Sequence, residues 1–231
     1  MPESGRSLSK IRLFEGLPAT DLDAIAAGCR WRAYNAGQHV IGHQDDTTDV
    51  FFVVNGQVRV TIYSASGKEV MFRDLQAGVG FGEMSAIDGQ ARSASVIALS
   101  QCMLAIMPGD TFNRIMRKHP DVAQRIMAHL TGLVRRLSDR VVEFSVLAVK
   151  NRIHAELLRL ARDQGINGNV AIIAPAPTHA EIASRVCTHR EAVTRELNAL
   201  ARDGFIERER RRLVIRDVRR LARLVEKVLE E

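Results

Sequence analysis

The sequence predicts an α+β chain with two folded parts joined by a long helix. Between Cys29 and Met107, short apolar runs alternate with turn signals, a pattern typical of a β sandwich or roll. From Pro120 onward the apolar residues instead recur three and four residues apart, which predicts helices. A length of 231 residues, 46% of them hydrophobic, allows two small domains that each bury a core.

The first part is predicted to begin with short helices over Leu8 to Gly28, with Thr20 as a helix cap. Five apolar runs then predict strands: Val50 to Val54, Val58 to Ile62, Val70 to Leu75, Ala94 to Ala98 and Cys102 to Met107. The turn signals are Asn35-Ala36-Gly37, Asn55-Gly56, Ser66-Gly67 and Ala77-Gly78. Because Asn-Gly is a strong hairpin signal, Asn55-Gly56 predicts a tight hairpin.

The segment from Phe81 to Val96, called the cassette below, carries polar groups suited to a small ligand. Glu83 accepts hydrogen bonds and suits a sugar hydroxyl, whereas Arg92 makes charge-assisted bonds to phosphate oxygens. Ser93 adds a hydroxyl donor, and a short helix from Met84 to Ile87 would point its first N–H groups at the same anion. A surface loop with ordinary charges is the alternative.

The long helix that follows Pro120 carries a coiled-coil-like seam of apolar residues: Ile126, Leu130, Leu133, Leu137, Val141 and Phe144. The seam predicts a contact between two helices, and one face of a core helix is the alternative. A hinge is expected near Ala148, followed by a basic helix from Asn151 to Asp163 and a loop from Gly165 to Pro177.

A helix-turn-helix is predicted next. Thr178 with Glu181, and Thr188 with Glu191, match two capping boxes, each of which starts a helix. The second helix has polar side chains on one face: Arg190, Glu191, Thr194 and Arg195. In a major groove, Arg can bind guanine and Glu can accept from cytosine, while a solvated face with salt bridges is the alternative.

The C-terminal residues predict a wing and a last helix. An Arg-rich turn, Arg208 to Arg212, is flanked by Ile206-Glu207 and Leu213-Val214-Ile215 and would bind phosphates without reading sequence. Asp217 to Glu231 predicts an amphipathic helix that packs on this domain, with an apolar face of Val218, Leu221, Leu224, Val225 and Val228.

Charge and composition narrow the class of protein. The net charge is +6, and residues 150–231 hold 17 basic and 12 acidic residues, against 16 and 15 in residues 1–149. A basic domain beside a nearly neutral one suggests that one half binds a polyanion. Three scattered cysteines argue against disulfides and a zinc site, so a cytoplasmic protein without metal is expected. No apolar run predicts a membrane span or a signal peptide.

The cassette resembles the phosphate-binding cassette of the catabolite activator (CRP/FNR) family of bacterial transcription regulators, in which FGE precedes a short helix and then RS or RT. The resemblance extends over nearly the whole chain. It implies an N-terminal, jelly-roll-like β-roll domain for a cyclic nucleotide (1–119), a long dimerisation helix and hinge (120–147), and a C-terminal winged helix-turn-helix domain that binds DNA (148–231).

The resemblance also implies a set of nucleotide-binding residues: Gly82, Glu83, Met84, Arg92, Ser93, Leu137 and Ser138. In the family, the Glu binds the ribose hydroxyl, the Arg and Ser bind the cyclic phosphate, and the last two positions meet the purine. The implied effector is cAMP. Because Leu137 cannot hydrogen-bond a base, cGMP stays open, with Ser93 as a candidate partner for the guanine amine.

For DNA, the string R-E-x-V-x-R resembles the family's recognition helix and implies that Arg190, Glu191 and Arg195 read a palindrome with TGTGA-like half-sites. His189 stands where many members have Ser. The full set of implied DNA contacts is Thr178, Thr188, His189, Arg190, Glu191, Arg195, Arg210 and Arg211.

The resulting expectation is a homodimeric, non-enzymatic transcription regulator that binds double-stranded DNA, a cyclic purine nucleotide and RNA polymerase, with no cofactor. The alternatives are a regulator of the same fold that responds to cGMP only, to a redox or gas effector, or to none. An enzyme acting on a phosphorylated sugar is disfavoured, because the cassette offers only Ser85 and Ser93 as nucleophiles.

Overall fold

The computed structural model describes residues 7–63 and 69–229. The chain divides into two compact units, Met1–Leu133 and Val134–Glu231. Among the described residues, none of the helices is long and apolar enough to cross a membrane.

The first unit begins with a 3-10 turn at Arg12–Phe14 and helix α1 at Ala19–Ala27. Its strands are β1 Arg30–Tyr34, β2 His39–Ile41, β3 Val50–Asn55, β4 Gln57–Tyr63, β5 Glu69–Gln76, β6 Gly80–Phe81, β7 Ser95–Ala98 and β8 Cys102–Met107. Helix α2, Glu83–Asp88, interrupts the strands, and α3, Gly109–Lys118, follows them. All five predicted strands and the short cassette helix are therefore confirmed.

The strands form two four-stranded antiparallel sheets, in the orders β1-β8-β3-β6 and β2-β7-β4-β5. Residues from both sheets share one buried core, in which Val53 and Leu104 of the first sheet accompany Val58 and Val96 of the second. A second core holds the N-terminal residues, with Phe14 against Phe52 at 5.0 Å between ring centroids. The predicted β roll is confirmed.

The predicted Asn55-Gly56 hairpin is wrong. Strand β3 pairs with β8 and β6, whereas β4 pairs with β5 and β7, so Gly56 links two different sheets. Gly56 has a φ of 86°, and a Cβ there would lie 2.5 Å from the carbonyl oxygen of Gln101. The glycine therefore serves a close crossing between sheets. The predicted turn at Ser66-Gly67 lies outside the described residues.

The predicted cap at Thr20 is also wrong, because Pro18 is the N-cap of α1 and Thr20 lies inside the helix. Proline at a helix start has a preset φ and no N–H that needs a partner. The N-cap therefore lies two residues before the predicted position.

Helix α4, Pro120–Val146, contributes residues to both units. The predicted seam is partly wrong, since Ile126 is buried in the core of the first unit, and Leu130 and Leu133 are half-buried. The exposed apolar residues on this helix include Met127, Val134, Leu137 and Val141, each more than half exposed. Their spacing of seven, three and four residues matches a heptad pattern. Compared with the predicted seam, Met127 and Val134 take the places of Ile126 and Leu133, one residue further along the chain.

The second unit contains α5 Val149–Gln164, β9 Ile166–Asn167, β10 Val170–Ile173, α6 His179–Arg185, α7 Arg190–Arg202, β11 Ile206–Glu209, β12 Arg212–Ile215 and α8 Val218–Leu229. Its four strands form one antiparallel sheet, β11-β12-β10-β9. The predicted loop over residues 165–177 is partly wrong, because it contains the β9–β10 hairpin. Strand β10 corresponds to the apolar run Val170 to Ile173, whereas β9 pairs through only two residues, too few for a periodic pattern to reveal.

A single core holds the second unit together. Ile182 of α6 and Val193 and Leu197 of α7 are buried in it, as the helix-turn-helix prediction required. Helix α8 packs against α5, and Val218, Leu221 and Val225 of the predicted apolar face are buried. Leu224 of that face is instead exposed, and the side chain of Val228 lies outside the described part of the chain. Residues 147–148 are not helical and separate α4 from α5, at the expected position of the hinge.

Candidate functional site

The cassette is built around a glycine in the left-handed region. Gly82 follows β6 with a φ of 83° and is the N-cap of α2, so Glu83 opens the helix. A Cβ on Gly82 would lie 2.9 Å from Nη1 of Arg92 and 3.0 Å from the carbonyl oxygen of Asp49. Both the backbone conformation and this close approach require glycine.

Arg92 is almost completely buried, with 2% of its surface exposed. Its Nε donates to Oγ1 of Thr47 at 3.0 Å, Nη1 to the carbonyl of Gly82 at 2.9 Å, and Nη2 to the carbonyl of Asp49 at 2.7 Å. Burial lowers the pKa of the guanidinium, and the carboxylates of Asp49, Asp45 and Glu83 oppose that shift. A buried arginine keeps its charge, so this site carries a fixed positive charge.

The backbone of Arg92 is fixed by the loop before β3. Its N–H donates to the carbonyl of Asp45 at 3.0 Å, and its carbonyl accepts from the N–H of Gln44 at 2.9 Å. The Asp45 carboxylate accepts from the N–H of Gly42 at 2.8 Å and so closes that loop. Sequence reasoning missed Thr47 and Asp49 because these partners lie far from Arg92 along the chain.

Glu83 is also buried, with 6% exposed, and has a neighbour that the sequence did not indicate. Oε1 of Glu83 lies 3.5 Å from Nε2 of His129 on α4. Ser93 is exposed, and its Oγ lies 3.9 Å from the sulfur of Met84, a weak contact. The first unit thus brings together all five predicted cassette residues: Gly82, Glu83, Met84, Arg92 and Ser93.

The other two predicted nucleotide residues, Leu137 and Ser138, lie on α4 in the second unit, and both are exposed. The Ser138 hydroxyl donates to the carbonyl of Val134 in its own helix at 3.1 Å. Its oxygen can still accept a hydrogen bond, whereas Leu137 presents only an apolar surface.

The helix-turn-helix forms with one of its two predicted capping boxes. Thr178 and Glu181 make the reciprocal bonds of a capping box at the start of α6. The second predicted box is wrong, because His189 rather than Thr188 is the N-cap of α7, and its side chain makes no capping bond. The N–H of Thr188 instead donates to the carbonyl of Ala183 at 2.9 Å, which draws Thr188 into the turn between the helices.

Helix α7 presents a charged face. Arg190, Glu191 and Arg195 are exposed, while Val193 and Leu197 are buried on the other side. The wing forms as predicted, with β11 and β12 paired and the exposed Arg210 and Arg211 at the turn between them. A basic turn beside an exposed polar helix face is an arrangement suited to a polyanion.

A charged cluster that the sequence did not reveal joins three helices of the second unit. Glu156 of α5, 1% exposed, contacts Arg159 on its own helix, Arg185 of α6 at 3.4 Å and Arg140 of α4 at 3.6 Å. Glu143 of α4 adds a second carboxylate, 2.7 Å from Arg159. We call these five residues the ionic cluster.

Comparison with known proteins agrees with this geometry. Residues 31–119 match the model of the cyclic nucleotide-binding domain, and residues 151–224 match that of the Crp-like helix-turn-helix domain. The chain is 32% identical over 197 residues to the cyclic AMP receptor protein of Thermus thermophilus, covering 84% of this chain and 87% of that protein. The chain belongs to the CRP/FNR family.

Further similar proteins also cover most of this chain. The cAMP-activated global transcriptional regulator CRP of Escherichia coli O6:H1 is 28% identical over 203 residues, which cover 87% of this chain and 97% of that protein. The solved structure of a CooA mutant from Carboxydothermus hydrogenoformans has a TM-score of 0.76 over 86% of this chain and 88% of that one, at 21% identity, which supports the fold. The protein is therefore a CRP-family transcription regulator with a cyclic nucleotide-binding domain and a DNA-binding domain.

Proposed function

We propose that this chain is a homodimeric regulator whose binding to a palindromic operator is switched on by a cyclic purine nucleotide, preferably cAMP. The observation that carries the proposal is the buried pair of Glu83 and Arg92 within one short segment. A cyclic nucleotide offers a ribose hydroxyl for the carboxylate and a phosphate for the guanidinium. Relatives named for cAMP support that choice of effector.

The hydrogen bonds of Arg92 support a preorganised phosphate site. A guanidinium has five N–H donors, and three of them are engaged by protein oxygens. Two N–H donors remain, one on each Nη, and in the proposed complex they bind phosphate oxygens. The three bonds to protein oxygens would then hold the side chain in place, and the exposed Ser93 adds a further donor.

The proposed purine contacts leave two candidate effectors, cAMP and cGMP. Leu137 has no group that recognises a base edge, and Ser138 has one hydroxyl whose proton is used within the helix. This set selects weakly between adenine and guanine, which is why cGMP is the second candidate. The phosphate and ribose contacts are common to both nucleotides.

The exposed apolar line on α4 supports the dimer. Met127, Val134, Leu137 and Val141 would pair with the same residues of a second copy, as in a two-stranded coiled coil. Nucleotide binding would shift the population toward the arrangement in which two copies of α7 are about 34 Å apart, one turn of DNA. RNA polymerase is the partner through which a DNA-bound dimer would act on transcription.

On DNA, Arg190, Glu191 and Arg195 would read base edges of TGTGA-like half-sites, because they are exposed on one helix. A second group would contact phosphates or sugars and fix the register: Thr178, Thr188, His189, Arg210 and Arg211.

Titration calorimetry with cAMP and with cGMP tests the effector. We expect Arg92→Gln to weaken binding of the preferred nucleotide by about a hundredfold, because it removes charge-assisted bonds to the phosphate. Arg117→Gln is the matched control, since Arg117 is exposed on α3, and it should leave the affinity unchanged. Equal affinity of wild type and Arg92→Gln would contradict the proposed site.

A further inference from the structure

His179, the first residue of α6, is hydrogen-bonded to the helix that carries the proposed base-reading residues. Nδ1 of His179 lies 2.6 Å from Oγ1 of Thr194 on α7. The Thr194 hydroxyl in turn donates to the carbonyl of Arg190 at 3.0 Å. A chain of two hydrogen bonds therefore connects the imidazole to the first turn of α7.

We assign the tautomer of the imidazole from these bonds. A threonine hydroxyl has one proton, and in the bond to the Arg190 carbonyl the proton of Thr194 is used. With the hydroxyl in that orientation, the Thr194 oxygen accepts from His179 and Nδ1 carries the hydrogen. In the neutral ring Nε2 is then a bare acceptor, and this buried atom has no hydrogen-bond partner in the part of the chain that the structure describes.

The charged groups that face His179 are arginines from two other elements. Burial lowers the pKa of His179, and the charges of Arg208 of β11 and Arg190 of α7 lower it further, so the neutral ring prevails in the free protein at neutral pH. Glu181, on the same helix as His179, is engaged with the N–H and hydroxyl of Thr178 in the capping box. The imidazole is thus held next to positive charge that bound DNA would offset.

On the basis of the proposed function, we propose that His179 is a positioning residue of the DNA interface: its Nδ1–H holds the first turn of α7, and its Nε2 takes up a proton when double-stranded DNA binds. A duplex brings a dense row of phosphates to Arg190 and Arg208 and offsets their repulsion of a proton. The imidazolium then gains a donor at Nε2 while the bond to Thr194 is kept, because Nδ1 is protonated in both states.

Proton uptake fixes the direction of the pH dependence. Since the complex binds the proton more tightly than the free protein does, DNA affinity rises as the pH falls through the interval between the two pKa values. The rise is at most about tenfold per pH unit for each protomer, the limit for one proton. Above the pKa of the complex the affinity no longer changes with pH through this residue.

The test measures DNA affinity by fluorescence anisotropy of the full-length protein from about pH 5.5 to 8, the range in which histidine titrates. Two duplexes of equal length are used, a TGTGA palindrome with saturating cAMP and a scrambled sequence at low salt. The scrambled duplex reports phosphate contacts and needs neither operator nor effector. Binding to the scrambled duplex without cAMP-dependent binding to the palindrome would contradict the proposed function and would still test the histidine, whereas absence of binding to both duplexes at every pH would contradict both proposals.

His179→Asn is the decisive variant, because the asparagine amide replaces the Nδ1–H donor and does not titrate. We expect it to match wild type within about twofold at pH 8 and to lose the rise in affinity at lower pH. Thr194→Val should weaken binding several-fold at pH 8, because it removes the bond to the first turn of α7. His39→Asn, at an exposed histidine of β2 in the first unit, is the matched control and should keep both the affinity and the pH dependence.

Two results would overturn the proposal. One is a wild-type pH dependence that survives in His179→Asn. The other is a pH dependence that disappears in His189→Asn, which would assign the proton to the exposed histidine. An NMR titration measures the pKa of the His179 ring in the free protein and in the complex with the scrambled duplex. A pKa that DNA leaves unchanged would contradict proton uptake.

Discussion

Replacing Gly82 with alanine should damage the phosphate site more than its backbone strain alone can explain. The left-handed conformation at φ 83° costs about 1 kcal/mol for a residue with a Cβ. The added carbon would also meet Nη1 of Arg92 at 2.9 Å and a backbone oxygen of Asp49 at 3.0 Å, and such overpacking costs about 1–3 kcal/mol more. The expected loss of unfolding free energy is therefore about 2–4 kcal/mol.

Gly89→Ala is the matched control for this change. Gly89 is the C-cap of the same helix and has a similar φ of 70°, but a Cβ there would meet nothing within 4 Å. We expect Gly89→Ala to cost only the backbone strain, about 1 kcal/mol, and to leave nucleotide affinity unchanged. Gly82→Ala should in addition weaken nucleotide binding by about tenfold, because Arg92 must move.

Urea unfolding followed by tryptophan fluorescence measures this difference directly. The chain has one tryptophan, Trp31, which is in β1 of the first unit, so the signal reports the unit that contains both glycines. The change appears as a shift in the midpoint at constant slope. If Gly82→Ala and Gly89→Ala lose the same unfolding free energy and bind nucleotide equally well, the close approach of Arg92 to Gly82 contributes to neither quantity, which would contradict this prediction.

Four further predictions follow from other parts of the molecule. Val141→Glu should convert dimers to monomers in light-scattering measurements, whereas Arg136→Glu, exposed but off the apolar line, should not. Glu156→Ala should lower the unfolding free energy by about 1–3 kcal/mol in thermal melts followed by circular dichroism, because it removes the most buried carboxylate of the ionic cluster while Glu143 still contacts Arg140 and Arg159. Glu226→Ala, at an exposed position, should be neutral. Arg211→Ala should weaken binding of operator and scrambled duplexes equally and lower the salt slope by about one. Burial lowers the pKa of His154 below 6.5, so the folded protein binds this proton less tightly than the unfolded chain does. The unfolding free energy should therefore fall as the pH drops from 6.5 toward the pKa of the folded state, and His154→Gln should reduce this loss.

The sequence predicted those parts of the fold that depend on local patterns. Runs such as Val50 to Val54 became strands because β-branched and aromatic residues favour strands. The apolar spacing of α7 separated buried Val193 from exposed Arg195, because a helix repeats every 3.6 residues. The hairpin at Asn55-Gly56 failed because a turn signal does not reveal which sheet the next strand joins.

The cassette shows the same limit at the level of side chains. Glu83, Arg92 and Ser93 could be named from one segment, but Thr47 and Asp49, which hold Arg92, lie 45 and 43 residues away along the chain. The ionic cluster assembles from α4, α5 and α6, and no spacing within one helix indicates such a contact. Partners of this kind are set by tertiary packing.

Nucleotide control of DNA binding is tested by the affinity for a labelled TGTGA palindrome, measured by fluorescence anisotropy at one salt concentration with and without cAMP or cGMP. We expect weak binding by the free protein, a large gain of affinity with one of the two nucleotides, and no gain in Arg92→Gln. Binding of the palindrome that is equally tight with and without either nucleotide would contradict nucleotide control by the cassette.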